Sequence, residues 1–473
     1  MSLAWLSVIV PVALMAFALG LERLEARLLG PAEPRSDEGQ RPGARSARKI
    51  RTLVGWPLVA VLVGGLLVGC ADTTPRAAAA GTSPPAAAGP GVPDTAPRSA
   101  TGESPTDLAL RLEALLGQHS VLTSDMMRSR IRNDEDFVQA ATTAVERNTD
   151  DLTAVVAALS GQQPADTFRA MWTEYVTAFA GYAHGDAAAR VDTRAQILRF
   201  ENGLGDFFST ASQGRLARDA ARSTLVAHGE RLLQQADAYA ARDYARAAAV
   251  YRQSYSRAFG IGNGLAAALL PPDQSSALNQ PSWRLRSELD RVLGEHVVLA
   301  VATLRAGAVN SPDFAAEAGA LNGNSEDLTA AIATLLGGEA GRRFLSLWAD
   351  HVDALVDYTG LAASDDQTRR QAALGELREY EGELAAFLDE ATGGRVRTSD
   401  LATELLAHDQ TLTRQADAVV NKDYPRAHEL AYDCYQGMLV LARQLSGAFG
   451  ETVAARLPRG GAETGAGGTS GAG

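Results

Sequence analysis

Cysteine is nearly absent from this sequence, since its 473 residues include only Cys70 and Cys434. Two thiols cannot build a disulfide framework, and no CxxC pair or CxxCH haem-attachment motif occurs. The HExxH, EF-hand, Walker and GxSxG motifs are absent as well. The sequence therefore gives no motif of a metalloprotease, a calcium-binding protein, a P-loop nucleotidase or a serine hydrolase.

Clusters of basic residues are also missing from the body of the chain. The formal net charge is −12, and the only lysines are Lys49 and Lys422. Nucleic-acid binding requires a positive patch that neutralises phosphates. We therefore expect no nucleic-acid partner.

Runs of β-branched residues are scarce beyond the first 70 residues, whereas alanine, leucine, arginine and glutamate form long stretches. These side chains lose little rotamer freedom in a helix. Apolar residues also recur at three- and four-residue spacing, which is the period of an amphipathic helix. The sequence therefore predicts an all-α fold.

Two uncharged hydrophobic segments open the chain, at 3–20 and 52–70. The first is long enough to span a bilayer. Residues 1–44 are therefore predicted to be a transmembrane segment followed by a basic cytoplasmic loop, unless translation starts later. The second follows the basic run at 45–51, as the apolar part of a secretory signal does.

The end of the second segment, Leu67-Val68-Gly69-Cys70, resembles the lipobox of bacterial lipoprotein signal peptides. This resemblance implies that 45–70 is a lipoprotein-type signal, that cleavage follows Gly69 and that the Cys70 thiol is diacylated. A plain transmembrane helix is the alternative. Either way, we expect the globular part on the extracytoplasmic side of the cytoplasmic membrane, held by a lipid anchor, a transmembrane segment or both.

Large apolar side chains are rare at 71–105 and at the end of the chain, where alanine, glycine, proline, serine and threonine prevail. Such compositions cannot bury a core. We expect 71–105 to be a disordered tether and 451–473 to be a disordered tail.

The region between these segments is an internal duplication. For example, NTDDLTA (148–154) recurs as NSEDLTA (324–330). We call 106–271 copy one and 284–450 copy two. Short connections between long helices predict two tandem up-and-down helical bundles, each large enough to bury its own core. In copy two the pattern predicts helices near 283–308, 312–336, 340–360, 366–391, 398–420 and 424–448.

Each of four predicted helices in copy two carries one histidine with apolar neighbours at helical spacing: His296, His351, His408 and His428. All four should face the bundle interior, and the first three lie near the middles of their helices. Converging imidazoles suit a transition-metal ion such as copper, zinc or iron, and bundle cores often hold such ions. Glu404, one turn from His408, could support such a site by hydrogen bonding.

Copy one repeats only part of this set. His119 and His228 match His296 and His408, whereas a tyrosine and an alanine replace the other two histidines. A complete metal site is therefore expected in copy two only. The alternative is that these are ordinary, partly buried histidines with a structural role, which explains the shared pair more simply.

The phrases LGEHVVLA, LWADHVDALVDY and LLAHDQTL resemble an uncharacterised group of secreted bacterial helical-repeat proteins, some of them labelled copper amine oxidases. The cofactor tyrosine of that enzyme lies in an Asn-Tyr-[Asp/Glu] motif, which does not occur here, so we do not infer oxidase activity. The leading interpretation is a membrane-anchored lipoprotein that displays two helical bundles as a non-enzymatic module for binding an envelope protein or small ligand. The alternative is a protein that binds or handles a transition metal.

Overall fold

The computed structural model describes residues 103–362 and 366–456, which form thirteen α-helices, one short 3₁₀-helix and no strand. The predicted all-α fold is confirmed for these residues. Both N-terminal hydrophobic segments, with Gly69 and Cys70, lie outside the described residues, as does most of the predicted tether. Within the described ranges, no helix is both long and apolar enough to cross a bilayer.

Copy one contains six long helices: α1 (Pro105–Arg132), α2 (Glu135–Ser160), α3 (Gln162–His184), α4 (Ala187–Ala211), α5 (Arg218–Ala240) and α6 (Tyr244–Leu269). Helix α1 starts inside the predicted tether, because Ser104 caps it by accepting a hydrogen bond from the Asp107 backbone and Pro105 occupies its first turn. An aspartate caps three further helices of copy one in the same way: Asp134 caps α2, Asp186 caps α4 and Asp243 caps α6.

A short helix, α7 (Pro272–Ser275), and the 3₁₀-helix Ser276–Asn279 lead into copy two. Its helices are α8 (Pro281–Ala308), α9 (Phe314–Leu336), α10 (Gly338–Ala362), α11 (Gln367–Thr392), α12 (Thr398–Val420) and α13 (Tyr424–Arg456). All six predicted helices of copy two are confirmed, and every boundary except the last agrees within two residues.

The exception is the end of α13, which runs to Arg456, so the prediction of a disordered tail from residue 451 is wrong for its first six residues. Thr452 is buried and donates hydrogen bonds to Ala448 O and Thr392 O. Val453 packs against the hydrophobic core. These contacts with α11 stabilise two further helical turns, which the composition of this region does not indicate.

The first helix of each copy passes through the middle of its copy. Helix α1 contacts α2, α3, α5 and α6, and α8 makes the equivalent contacts with α9, α10, α12 and α13. A helix surrounded by others must be apolar on all sides, and both α1 and α8 are buried around most of their circumference. Because consecutive helices alternate in direction, α8, α10 and α12 run parallel to one another.

Copy one buries a large apolar cluster almost wholly of its own, as the sequence predicts, but the core of copy two is not separate from copy one. The largest cluster of buried apolar side chains joins α1 and α6 of copy one to the helices of copy two. The Tyr435 hydroxyl donates to Ala114 O over 2.9 Å and lies 3.0 Å from the hydroxyl of Tyr255, its equivalent in copy one. The described residues therefore form one compact unit.

Several ion pairs also cross between the copies, and in two of them both side chains are largely buried. Arg128 donates to Glu317 over 2.7 Å with both side chains buried, and Arg305 binds Asp125 through two hydrogen bonds of 3.0 Å. Removing one partner of such a pair would leave an uncompensated buried charge. These pairs therefore fix how the copies dock.

Candidate metal centre

Three histidines of copy two meet at one level of the bundle, as the sequence predicts. His296 lies on α8, His351 on α10 and His408 on α12. Their ring centroids are 5.8, 5.8 and 6.4 Å apart. One ring nitrogen of each lies within 4.8 Å of one ring nitrogen of the other two, and these three residues are the one such group that could hold a metal ion among the described residues.

The local sequence explains why these rings converge. Each histidine lies near the middle of its helix, and the three helices run parallel, so the histidines reach the same depth. One turn before each histidine stands a large apolar residue that anchors its helix in the core: Leu293, Trp348 and Leu405. Residues three apart share a helix face, so burying these anchors also turns the imidazoles inward.

Aromatic rings restrict the orientations of two of the imidazoles. The Trp348 ring lies 4.6 Å from His296, and the Tyr380 ring stacks on His351 at 4.4 Å with an interplanar angle of 19°. Such contacts hold ligand side chains in one rotamer before an ion arrives. Two of the three imidazoles are therefore preorganised.

Several ring nitrogens in the cluster are buried without a hydrogen-bond partner. They are both nitrogens of His296, Nδ1 of His351 and Nε2 of His408. Most buried polar atoms in folded proteins are paired, and an unpaired one costs about 1–3 kcal/mol. A coordinated metal ion would satisfy several of these atoms at once.

The protonation state of the cluster also suits a cation. Burial lowers the pKa of His296 and His351 well below the ordinary value, and the neighbouring histidines lower it further. Burial lowers the pKa of His408 to about 4. All three imidazoles are therefore neutral near pH 7, which is the form that binds metals.

A buried pair of carboxyl groups lies beside His351. Asp409 Oδ2 is 3.5 Å from His351 Nδ1, and Asp409 is hydrogen-bonded to Glu381. Burial raises the pKa of Asp409 well above its usual range and that of Glu381 to about 7. A small rotation of the ring would let Nδ1–H donate to Asp409, which would leave the other ring nitrogen free for a metal.

Cys434 lies next to the third histidine, with Sγ 3.2 Å from His408 Nδ1. Burial raises the pKa of this thiol, so it remains protonated and unreactive, as expected for a small buried hydrophobe. Glu404 does not take the supporting role predicted for it, because its Oε1 accepts a hydrogen bond from Gln444 at 2.7 Å.

The structure does not bring His428 to the other three histidines. It lies on α13 against the Phe137 ring, at 4.9 Å, and near the Asp125–Arg305 ion pair. It lines a separate cavity of about 40 Å³ between the copies. The apolar spacing around His428 indicates correctly that it faces inward, but not which neighbours it meets.

Copy one places related residues in the same arrangement without the third imidazole. His119 and His228 are 5.9 Å apart, and Tyr175 stands where copy two has His351. The Tyr175 hydroxyl donates to Glu201 over 3.5 Å. Gly229 replaces Asp409, and a side chain there would collide with the Glu201 carboxylate.

The sequence comparison within the chain contains a signal for Asp409. Copy two reads Ala-His-Asp where copy one reads Ala-His-Gly, so the carboxylate is present only in the copy that has the third histidine. Sequence reasoning missed Asp409 because it directly follows His408 and so lies about 100° round α12 from the histidine face. It missed Glu381 because α11 carries no histidine.

Comparison of the whole chain with models of protein families, with curated proteins and with solved structures gives no match. The site itself is therefore the basis for inferring a function. Its donors are three neutral nitrogens in a bundle interior, a set that suits copper, zinc or iron better than calcium or magnesium, which prefer oxygen ligands.

Proposed function

We propose that this protein binds one transition-metal ion, copper, zinc or iron, through His296, His351 and His408. The observation that supports this function best is the convergence of three neutral imidazoles, two buried and one largely buried, with one nitrogen of each within 4.8 Å of one nitrogen of the others. In a tetrahedral zinc site, with Zn–N bonds near 2.0–2.1 Å, two ligand nitrogens are about 3.3 Å apart. Small side-chain rotations would close the difference.

The competing interpretation treats the three histidines as structural residues of the core. Structural histidines of this kind normally donate to a carbonyl or carboxylate and accept another hydrogen bond. His296 lies in the interior with neither ring nitrogen paired. This favours an ion-binding role over a purely structural one.

We further propose that the protein acts at the cell envelope, as two tandem helical bundles tethered behind a lipidated Cys70. The lipobox-like residues before Cys70, the basic run before them and the tether composition of 71–105 support this location. The protein then holds metal on the extracytoplasmic side and needs no catalytic residues. Mass spectrometry of the mature chain tests the anchor, because an unmodified Cys70 in a chain that retains residues 1–69 would contradict it.

Elemental analysis of the full-length protein, purified in detergent, tests the metal site. We expect one equivalent of metal per chain. The fragment 284–450 is unsuitable for this test, because its core is completed by copy one.

Three variants test whether the metal binds at these three histidines. His351→Tyr installs the residue that copy one carries at Tyr175, and it should abolish stoichiometric binding. His428→Ala and His119→Ala remove buried histidines outside the proposed site and should retain one equivalent. Equal metal content in all four proteins would contradict the proposal.

A further inference from the structure

A cavity of about 40 Å³ lies next to the three histidines in copy two. His351 and His408 form part of its wall. The wall also includes the residues one and two turns before the histidines on α8, α10 and α12, namely Leu293, Leu289, Trp348, Phe344, Leu405 and Leu401. The cavity therefore extends from the layer of imidazoles toward the N-terminal ends of these parallel helices.

The imidazoles lean toward this cavity. Side chains on an α-helix tilt toward the N-terminus of their helix, and all three histidines are on parallel helices. A metal ion with three protein ligands keeps a fourth position open for another molecule. In this site that position would face the cavity, which His351 and His408 line.

The wall is almost wholly apolar. Apart from His351, His408 and Tyr380, it consists of leucine, isoleucine, alanine, phenylalanine, methionine and tryptophan. A buried water needs two to four polar partners, so water is poorly accommodated there. The Tyr380 hydroxyl and the Trp348 indole N–H are buried without hydrogen-bond partners, which leaves two donors for a weakly polar guest.

The volume limits the size of that guest. A cavity that admits benzene is about 150 Å³, so ring compounds are too large for this space. We propose that, once loaded with a metal, copy two binds a neutral diatomic gas of the dioxygen, carbon monoxide or nitric oxide class at the open position of the metal. This inference rests on the proposed metal site.

Carbon monoxide binding to the copper(I)-loaded protein tests this inference. The full chain is loaded with one equivalent of copper(I) under argon and titrated with carbon monoxide, and the infrared band of the bound gas is recorded. We expect saturable binding of one carbon monoxide per copper.

Substitutions that fill the cavity to different extents test whether the gas binds there. Ala331, on α9, lines the cavity, and copy one carries Val155 at the equivalent position. Ala331→Leu should weaken carbon monoxide binding by about tenfold or more, with Ala331→Val intermediate, because the added carbons compete with the gas for space. Leu384→Met, in the same wall, conserves volume and should leave the affinity unchanged.

The copper content of the same samples is also measured, so that failure of the metal site can be distinguished from failure of the gas-binding inference. A chain that binds no copper overturns the cavity inference as tested with copper(I), and one that binds no zinc or iron either contradicts the metal site itself. A chain that binds one copper but no carbon monoxide, or that binds it equally in all variants, overturns the cavity inference and leaves the metal site intact. If Ala331→Leu does not fold, Leu388→Phe on α11 fills the same cavity.

Discussion

Asp409 is the side chain that distinguishes the copy-two site most clearly from its counterpart. It lies 3.5 Å from His351 Nδ1, and in copy one both members of this contact are replaced, by Gly229 and Tyr175. A carboxyl oxygen that accepts the second ring proton of a metal-binding histidine fixes its tautomer, and it raises the basicity of the ring once the nearby cation favours the ionised form of the acid. We therefore assign Asp409 the role of positioning His351.

The variant Asp409→Asn tests that role. We expect metal affinity to fall by about 10- to 100-fold, because the amide, unlike the acid, cannot ionise beside the bound cation to become a strong acceptor for the ring N–H. Competition with a chromophoric chelator measures the affinity. Glu404→Gln changes another carboxyl group on α12, one that pairs with Gln444, and should have little effect. An equal loss in both variants would contradict a specific role for Asp409.

The carboxyl pair also predicts how metal affinity depends on pH. The pKa of Glu381 is raised to about 7, so the pair holds a proton below that pH. A cation bound beside the pair lowers the pKa of Glu381, so metal binding releases a proton. Metal affinity should therefore rise with pH up to about 7, by at most tenfold per pH unit for one released proton. The histidines add no dependence in this range, because the pKa of His408 is about 4 and those of His296 and His351 are also lowered.

The variant Glu381→Gln should flatten that profile between pH 6 and 8. Calorimetric titrations in two buffers of different ionisation enthalpy measure the released proton directly. An unchanged slope in Glu381→Gln would show that the proton comes from another group.

At the scale of single helices, one glycine of α6 determines how closely this helix packs against α1. The sequence GIGNG (260–264) superficially resembles a phosphate-binding loop, but it lies within α6. A methyl group at Gly262 would stand 2.5 Å from Glu113 Cα, on the backbone of α1. Gly262 therefore allows α6 to pack closely against the central helix of copy one.

Two substitutions in α6 provide a matched test of this packing. Gly262→Ala should destabilise the protein by about 1–3 kcal/mol, because the backbone of α1 must shift. Gly264→Ala has no atom within 4 Å of the added methyl and should stabilise by about 0.5–1 kcal/mol through helix propensity. Urea unfolding measures both. A stabilising Gly262→Ala would contradict the close approach of α1 and α6.

Helix positions were largely predictable from the sequence, whereas contacts between helices were not. Periodicity and the breaker residues between helices define the bounds of α8 to α12 within two residues, because these signals are local. The convergence of His296, His351 and His408 follows from equal depth on parallel helices. The different location of His428 depends on docking with copy one, where it meets Phe137, and no local pattern encodes that contact.

At the scale of the whole molecule, we expect the apolar cluster that spans both copies to make them one folding unit. Tyr255, Tyr435 and Ala114 connect the copies through hydrogen bonds, and the Arg128–Glu317 pair is buried between them. The sequence indicates the duplication but does not indicate that the copies pack together. Residues that contact the other copy are as apolar as those that contact the core of their own copy, so no pattern distinguishes them.

Unfolding of the full chain should therefore be cooperative. We expect one calorimetric transition, with equal calorimetric and van't Hoff enthalpies, and an isolated 284–450 fragment without a cooperative transition. Two separated transitions, or a fragment that unfolds cooperatively with the helical content of copy two, would contradict a common folding unit.

The most direct test of the metal site is anomalous X-ray diffraction from crystals of the full-length protein loaded with zinc. One strong anomalous peak should lie between His296, His351 and His408, about 2.0–2.1 Å from one nitrogen of each. If protein with one equivalent of zinc gives no peak among these imidazoles, or only peaks at surface carboxylates, the proposed metal site is wrong.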